Sequence, residues 1–166
     1  MNLLDENVQR FIREYEGTTT TLLLKKTVFN GISNKELVQQ IEGRRTAAKK
    51  LPFLLTAEGI LFPPTLNLEQ TSSEATAQYK AQGLHGECFL DLTCGFGIDA
   101  FFLSEKFKEV MLVEQNKELL SKVEHNWQVL GCKATFINGS AEAFLKATTA
   151  HYNLIYLDPA RRDALK

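Results

Sequence analysis

Cysteine is scarce in this sequence. Cys88, Cys94 and Cys132 are the only three in 166 residues, and no two of them form a C-x-x-C pair. An odd count without metal-ligand spacing excludes a disulfide framework, gives no reason to expect a metal, and fits a reducing compartment. Proline is limited to four residues and no repeat is present, which excludes collagen-like and low-complexity architectures. Neither sign of charge dominates: Lys+Arg 19 against Asp+Glu 20 leave a formal net charge of -1. A generally basic, histone-like nucleic-acid binder is thereby excluded, although a local basic patch is not. Long apolar runs are missing too, none approaching the roughly 20 residues that span a bilayer. The opening Met1-Asn-Leu-Leu-Asp-Glu-Asn7 has neither a basic n-region nor an apolar h-region. The expectation is a soluble, cytoplasmic protein without membrane contact. The chain is 44% hydrophobic, enough to bury a core in one domain with an appendage.

Residues 1–65 read as a helical accessory region. Leu4, Val8, Phe11, Ile12 and Tyr15 recur at helical spacing, and the tract Thr18-Thr-Thr-Thr21 reads as the loop that closes this helix. A turn is expected at Asn30-Gly31, followed by a helix capped by Ser33 or Asn34 and carrying Leu37, Val38 and Ile41. Between Lys25 and Lys50 stand seven basic and two acidic residues, so the basic charge gathers there. Pro52, Gly59 and Pro63-Pro64 punctuate the stretch before the boundary.

Residues 66–166 alternate helix and strand. Thr71-Ser-Ser-Glu74 reads as a capping box with Thr71 as N-cap. Short apolar runs at Cys88–Asp91, Val110–Glu114, Ala134–Ile137 and Asn153–Leu157 are strands. Ile98, Phe101, Phe102 and Phe107 mark one helix, and Asn116 and Ser140 cap two more. This alternation predicts right-handed βαβ units and an α/β, Rossmann-like parallel sheet.

Ligands bind such sheets beyond the carboxyl ends of the strands. The loop after the first strand reads Asp91-Leu-Thr-Cys-Gly95-Phe-Gly97-Ile-Asp99-Ala100. Gly95-x-Gly97-x-x-Ala100 fits a dinucleotide fingerprint, with Glu114 at the ribose position, so an NAD-dependent oxidoreductase is one reading. Asp91 favours another. A carboxylate ending the strand would repel a pyrophosphate but attract a ligand with an α-amino group and a sulfonium, as in S-adenosylmethionine. Glu114 would then accept from the ribose hydroxyls in charge-assisted bonds. Cys94 and Phe96 of this loop and Gln115 beside Glu114 complete the candidate cofactor set, and Ser140-Ala141 stand where an adenine edge would be met.

The fourth strand runs into Tyr156-Leu157-Asp158-Pro159-Ala160-Arg161-Arg162-Asp163. This places Asp158 and Pro159 on the acceptor side of the cleft. Arg161, with Arg162 beside it, suits a phosphate-bearing substrate, because a guanidinium binds phosphate through two parallel bonds.

Taken together, Asp91-Leu-Thr-Cys-Gly-Phe-Gly-Ile-Asp99, Val113-Glu114-Gln115 and Leu157-Asp-Pro-Ala-Arg-Arg-Asp163 resemble motifs I, II and IV of class I S-adenosylmethionine-dependent methyltransferases. Leu68-Glu-Gln-Thr-Ser-Ser-Glu74, Gln39-Gln-Ile-Glu-Gly-Arg-Arg45 and Lys49-Lys50-Leu51-Pro52 are similar to the bacterial THUMP-like methyltransferase group. Motif I is also similar to RNA methyltransferases that write DxFCGxGxF. The resemblance implies cofactor contacts at Asp91, Thr93, Gly95, Gly97, Asp99 and Glu114, and an active-site role for Asp158 and Pro159. Arg161 stands where base-amino enzymes of this class carry a stacking aromatic. The Asp-Pro-Ala-Arg form is closer to 5-methyluridine enzymes, which also use a downstream cysteine. RNA is the acceptor class this points to, with the Lys25–Lys50 segment, Arg161 and Arg162 as its contacts. A non-catalytic module holding S-adenosylmethionine or RNA is the remaining alternative. The same resemblance implies seven strands against the four counted here. The chain is therefore expected to be the N-terminal portion of a longer enzyme, inactive alone and able to self-associate along an open fourth strand.

Overall fold

The computed structural model describes residues 2–159 and divides the chain into two compact units, Met1–Glu69 and Gln70–Lys166. The expected boundary near residue 65 coincides with the first residue of a helix, Thr65–Gln70.

The first unit is helical. Helix α1 (Glu6–Glu14) is capped by the Asp5 side chain and buries Val8 and Ile12. The threonine tract is not a loop. Thr18 is an N-cap whose hydroxyl accepts the Thr21 N–H, and helix α2 (Thr19–Leu24) follows directly, burying Leu22. A threonine run favours the extended backbone of an N-cap at its first residue, and the leucines behind it have a core to enter. Gly31 supplies the positive φ of the turn, and Ser33 with Glu36 forms the capping box that opens α3 (Asn34–Lys50). Asn34 has a different task from capping. Its Nδ2 donates to the Leu22, Lys25 and Lys26 carbonyls, satisfying the open end of α2. Val8, Ile12, Leu22, Ile32, Leu37, Val38 and Ile41 form the core of the unit.

A 3-10 turn (Pro52–Thr56) and α4 (Thr65–Gln70) end this unit. The buried Gln40 side chain pairs with both backbone groups of Phe62, donating to its carbonyl and accepting its N–H. Two of the basic residues of the Lys25–Lys50 segment serve the fold. Arg45 donates to the Tyr15 and Gly17 carbonyls, and Lys50 donates to the Leu68 and Glu69 carbonyls.

The second unit opens with α5 (Glu74–Lys80). Its N-cap is Ser73 rather than Thr71, so Glu74 is the first helical residue rather than the third. Strands β1 (Gly86–Asp91), β2 (Phe107–Glu114), β3 (Thr135–Asn138) and β4 (Leu154–Tyr156) make one sheet, ordered β3-β2-β1-β4 and parallel throughout. Helices α6 (Ile98–Leu103), α7 (Lys117–Val129) and α8 (Ala141–Ala147) are the connections, and Gly131 ends α7 with φ 74°. Phe107, expected on the helix with Phe101 and Phe102, instead begins β2. Helix α6 is only six residues long and buries Ile98, Ala100 and Leu103. Its residues Phe101 and Phe102 meet edge to face, and Trp127 of α7 meets Phe101 and Phe136 likewise. Leu90, Leu92 and Val113 pack with Met111, Ile137, Phe144 and Tyr152 on the α8 side. At the β4 edge Ile155 and Leu157 are exposed. Among the described residues no helix is long and apolar enough to cross a membrane.

Candidate functional site

The order β3-β2-β1-β4 puts a topological switch between β1 and β4, where connections leave the sheet in opposite directions. Asp91 ends β1 at that switch and is 1% exposed. Its Oδ1 accepts the Thr93 N–H at 2.8 Å. Burial pushes the Asp91 carboxyl up to about 7; the Thr93 N–H opposes this, and the negative charges of Asp99, Glu114 and Asp158 reinforce it.

The glycine loop is fixed by its own backbone. The Gly97 N–H donates to the Cys94 carbonyl at 2.8 Å, and the Cys94 N–H donates to the Val113 carbonyl at 3.0 Å. Gly97 has φ 76° and caps α6, and an added Cβ would lie 2.8 Å from Val123 Cγ1. No side chain fits there. Gly95 has φ 56° but faces open space, its nearest neighbour being the Thr93 carbonyl oxygen at 3.8 Å from a built Cβ. Something larger than a methyl can approach the backbone at Gly95. Glu114, at the end of β2, accepts the Gly95 N–H on Oε2 at 2.9 Å and the Asn116 N–H on Oε1 at 2.8 Å. Each of its oxygens retains a second lone pair.

Other members of the sequence-derived set occupy different surroundings. The Cys94 and Phe96 side chains are buried, and burial raises the Cys94 thiol well above its ordinary value, so it is an inert packing group. Gln115 and Ser140 are exposed; the Ser140 hydroxyl accepts the Ala143 N–H as an N-cap, beside Ala141. Asn138 Nδ2 bridges the Glu114 and Gln115 carbonyls and so ties the end of β3 to the end of β2.

On the β4 side, the Leu92 N–H donates to the Tyr156 carbonyl, and the Asp158 N–H donates to Thr93 Oγ1 at 2.7 Å. Asp158 and Pro159 are exposed, and Arg161 and Arg162 lie outside the described residues. Three residues not anticipated from the sequence complete the arrangement. Lys80 Nζ donates to Tyr156 Oη at 2.8 Å, Ser72 Oγ at 3.0 Å and Asp99 Oδ2 at 3.1 Å, and it lies 3.8 Å from Asp158 Oδ2. Burial alone would lower the Lys80 ammonium, but its bonds to Tyr156 and Asp99 and the charge of Asp99 outweigh it and hold it above its usual value. Burial likewise pushes the Tyr156 phenol to about 12. Asp99 Oδ1 is buried and has no hydrogen-bond partner among the described residues. The charges of Asp99, Glu114 and Asp158 thus converge on Asp91, and the one ammonium, Lys80, pairs with Asp99 and Asp158.

The chain belongs to the family described as Conserved hypothetical protein 95, whose model matches residues 63–165. A solved structure from Porphyromonas gingivalis W83, named a "putative methyltransferase", is similar over 94% of this chain and 40% of its own, with a TM-score of 0.80 and 29% identity. The chain therefore spans less than half the length of that relative. The "putative methyltransferase yhhF" of Escherichia coli is similar over 55% of this chain and 52% of its own, at TM-score 0.46 and 21% identity. A Streptococcus mutans protein, SMU.1697c, solved in complex with SAH, is similar over 51% of this chain and 49% of its own, at TM-score 0.43 and 23% identity. No curated protein matches. The fold of the second unit is the Rossmann-like methyltransferase fold.

Proposed function

We propose that this chain carries the cofactor site of a class I S-adenosylmethionine-dependent methyltransferase of the THUMP-like group, acting on RNA. One observation carries this reading: a buried carboxylate ends β1 beside an open glycine, in a cleft where Asp99 Oδ1 has no partner among the described residues. Buried ionisable oxygens without partners are destabilising unless a ligand compensates them. A cationic ligand bearing an ammonium and a sulfonium matches that need, whereas a pyrophosphate would add negative charge to four carboxylates. When bound, the cofactor supplies an electrophilic methyl group: the acceptor's bond to the methyl carbon forms as the carbon–sulfur bond breaks, leaving the thioether.

The residues of the chain have distinct parts in this reading. Asp91 and Asp99 hold the cationic end, Glu114 receives the ribose hydroxyls, and Gly95 allows close approach of the backbone. Thr93 links the two sides, since its N–H is held by Asp91 and its hydroxyl accepts the Asp158 N–H. Asp158 orients the acceptor by accepting its hydrogen, with Pro159 rigid behind it. Residues 1–65 are the accessory region and 66–166 the first part of the methyltransferase domain. The exposed Ile155 and Leu157 of the β4 edge support association along that strand, with another segment or a second copy.

RNA as acceptor rests on the basic segment and the motif resemblance. Within the segment, Arg45 and Lys50 hold backbone carbonyls, which leaves Arg44, Lys49, Lys25, Lys26 and Lys35 for phosphates. Arg44 lines a cavity of about 290 Å³ with Arg13 and Gln9. Calorimetric titration of S-adenosylhomocysteine and, separately, NADH tests the cofactor. Binding of NADH alone would replace the methyltransferase reading with an oxidoreductase. Methyl transfer to bulk cellular RNA tests the reaction, and RNA affinity against salt tests the partner, with an expected log–log slope of about −0.7 per neutralised phosphate. Salt-independent binding would remove RNA from the reading.

A further inference from the structure

Lys80 has three hydrogens to donate, and three acceptors take them: Tyr156 Oη, Ser72 Oγ and Asp99 Oδ2. The Ser72 hydroxyl, which accepts from Lys80, donates onward to Asp99 Oδ2 at 3.0 Å. Both lone pairs of Asp99 Oδ2 are then occupied. The Tyr156 hydroxyl hydrogen has two acceptors within reach, Asp99 Oδ2 at 3.2 Å and Asp158 Oδ2 at 3.3 Å. Because the first already carries two bonds, the hydrogen is better received by Asp158. The ammonium at 3.8 Å from the same oxygen adds its charge. Asp158 Oδ1 receives no partner among the described residues, on a side chain that is 62% exposed.

We propose that Lys80 is the positioning residue of the acceptor side: by filling Asp99 Oδ2 and the acceptor side of Tyr156 Oη, it directs the tyrosine hydroxyl onto Asp158 Oδ2 and leaves Asp158 Oδ1 as the oxygen that meets the acceptor. This rests on the methyltransferase reading above and adds the polarity of the acceptor side to it: an oxygen presented in this way can hold an N–H or O–H of the acceptor. The same network joins three elements distant in sequence: α5 through Lys80, α6 through Asp99, and the end of β4 through Tyr156. It meets the cofactor side at one atom, Asp99 Oδ2, while Asp99 Oδ1 and Asp91 take no part in it.

The test uses the whole chain with Lys80→Met, Lys80→Arg and Tyr156→Phe. Three quantities are read: single-turnover methyl transfer to bulk RNA at saturating S-adenosylmethionine, S-adenosylhomocysteine affinity, and hydrogen exchange of individual amides. Tyr156→Phe removes one hydroxyl and leaves the Lys80–Asp99 pair in place, so it guards against a variant that fails to fold. Lys80→Met and Tyr156→Phe should slow transfer about 100-fold, the scale for a reacting group displaced by an ångström. Cofactor affinity should hold in Tyr156→Phe, which leaves the Lys80 and Ser72 bonds to Asp99 in place, and Lys80→Arg should recover part of the rate lost in Lys80→Met because it restores charge in a different geometry. The Asp158 amide, bonded to Thr93 Oγ1, should exchange faster in both damaging variants while the Thr93 amide does not change. Unaltered transfer, or affinity falling in step with transfer in Tyr156→Phe, would overturn the proposal. So would an unchanged Asp158 amide or a uniform speeding of all amides. If the unmodified chain does not bind S-adenosylhomocysteine, the methyltransferase reading fails by itself; if it binds without transferring methyl, as expected of this portion alone, that reading stands, and in either case the exchange arm decides whether Lys80 positions Asp158.

Discussion

Asp91→Asn should make the fold more stable at neutral pH while damaging the site. The carboxyl is 1% exposed, and its rise from 3.8 to about 7 corresponds to an upper bound of about 4 kcal/mol of folding free energy lost on ionisation. The sign follows from which state binds the proton. Below about pH 4 the group is neutral in folded and unfolded chains, and the stabilising effect of the retained proton is fully present. As pH rises from about 4 to about 7 the unfolded chain ionises first, so the folded state loses about 1.4 kcal/mol per pH unit; above that range the loss is constant. Asparagine keeps an oxygen for the Thr93 N–H and never ionises. Allowing about 1–2 kcal/mol for an incompletely paired amide, the variant should exceed the unmodified chain by about 2 kcal/mol at pH 8. Urea unfolding of the second unit, followed by the fluorescence of Trp127 at pH 5, 6, 7 and 8, measures this. The gap between the two proteins should widen from pH 5 to 7 and then level. A gap that stays constant across that range would refute the account of Asp91 as a destabilising carboxylate kept for a ligand. In the same variant, S-adenosylhomocysteine affinity should fall by about 1.5–3 kcal/mol, the scale for a hydrogen bond to a charged group.

Glu114→Ala should weaken S-adenosylhomocysteine by about 1.5–3 kcal/mol in calorimetry, and an unchanged affinity would remove it from the site. Because a bound ammonium favours the ionised form of Asp91, binding at pH 6 should release protons, seen as a binding enthalpy that varies with the buffer; no such variation would mean that Asp91 does not face the cation. Gly97→Ala should destabilise the second unit by more than the roughly 1–2 kcal/mol of left-handed backbone strain, since its Cβ also meets Val123, whereas Gly95→Ala should show the strain alone. Denaturation of the two variants compares them directly. Reversing Arg44 and Lys49 should flatten the salt dependence of RNA binding, while Arg45→Ala should lower the melting temperature of the first unit and leave the slope alone; equal slopes in all variants would make the segment an ordinary solvated face.

The sequence by itself determined the parts of this protein that depend on near neighbours. Asn116 and Ser140 were legible as N-caps, and Ser33 as one of two candidates with Asn34, because a short polar side chain reaches the backbone N–H of its own first turn. The four strands and their parallel direction followed from apolar runs alternating with helices, and the loop from Asp91 to Asp99 carried its candidate cofactor residues within nine positions. Where two local readings competed, the choice fell to packing. Thr18 opened a helix because Leu22 had a core to enter, Ser73 rather than Thr71 capped α5, and Phe107 joined a strand because β1 offered it a partner. Tertiary structure alone brought Lys80 and Ser72 to Asp99 and Tyr156, across as many as 76 positions, and turned Arg45 and Lys50 inward to backbone carbonyls. It also raised the Asp91 carboxyl, which no spacing rule reveals. Periodicity and capping are written in residues that touch through one turn of chain. Burial, and the electrostatics that depend on it, arises only when the distant walls of the cleft exclude water.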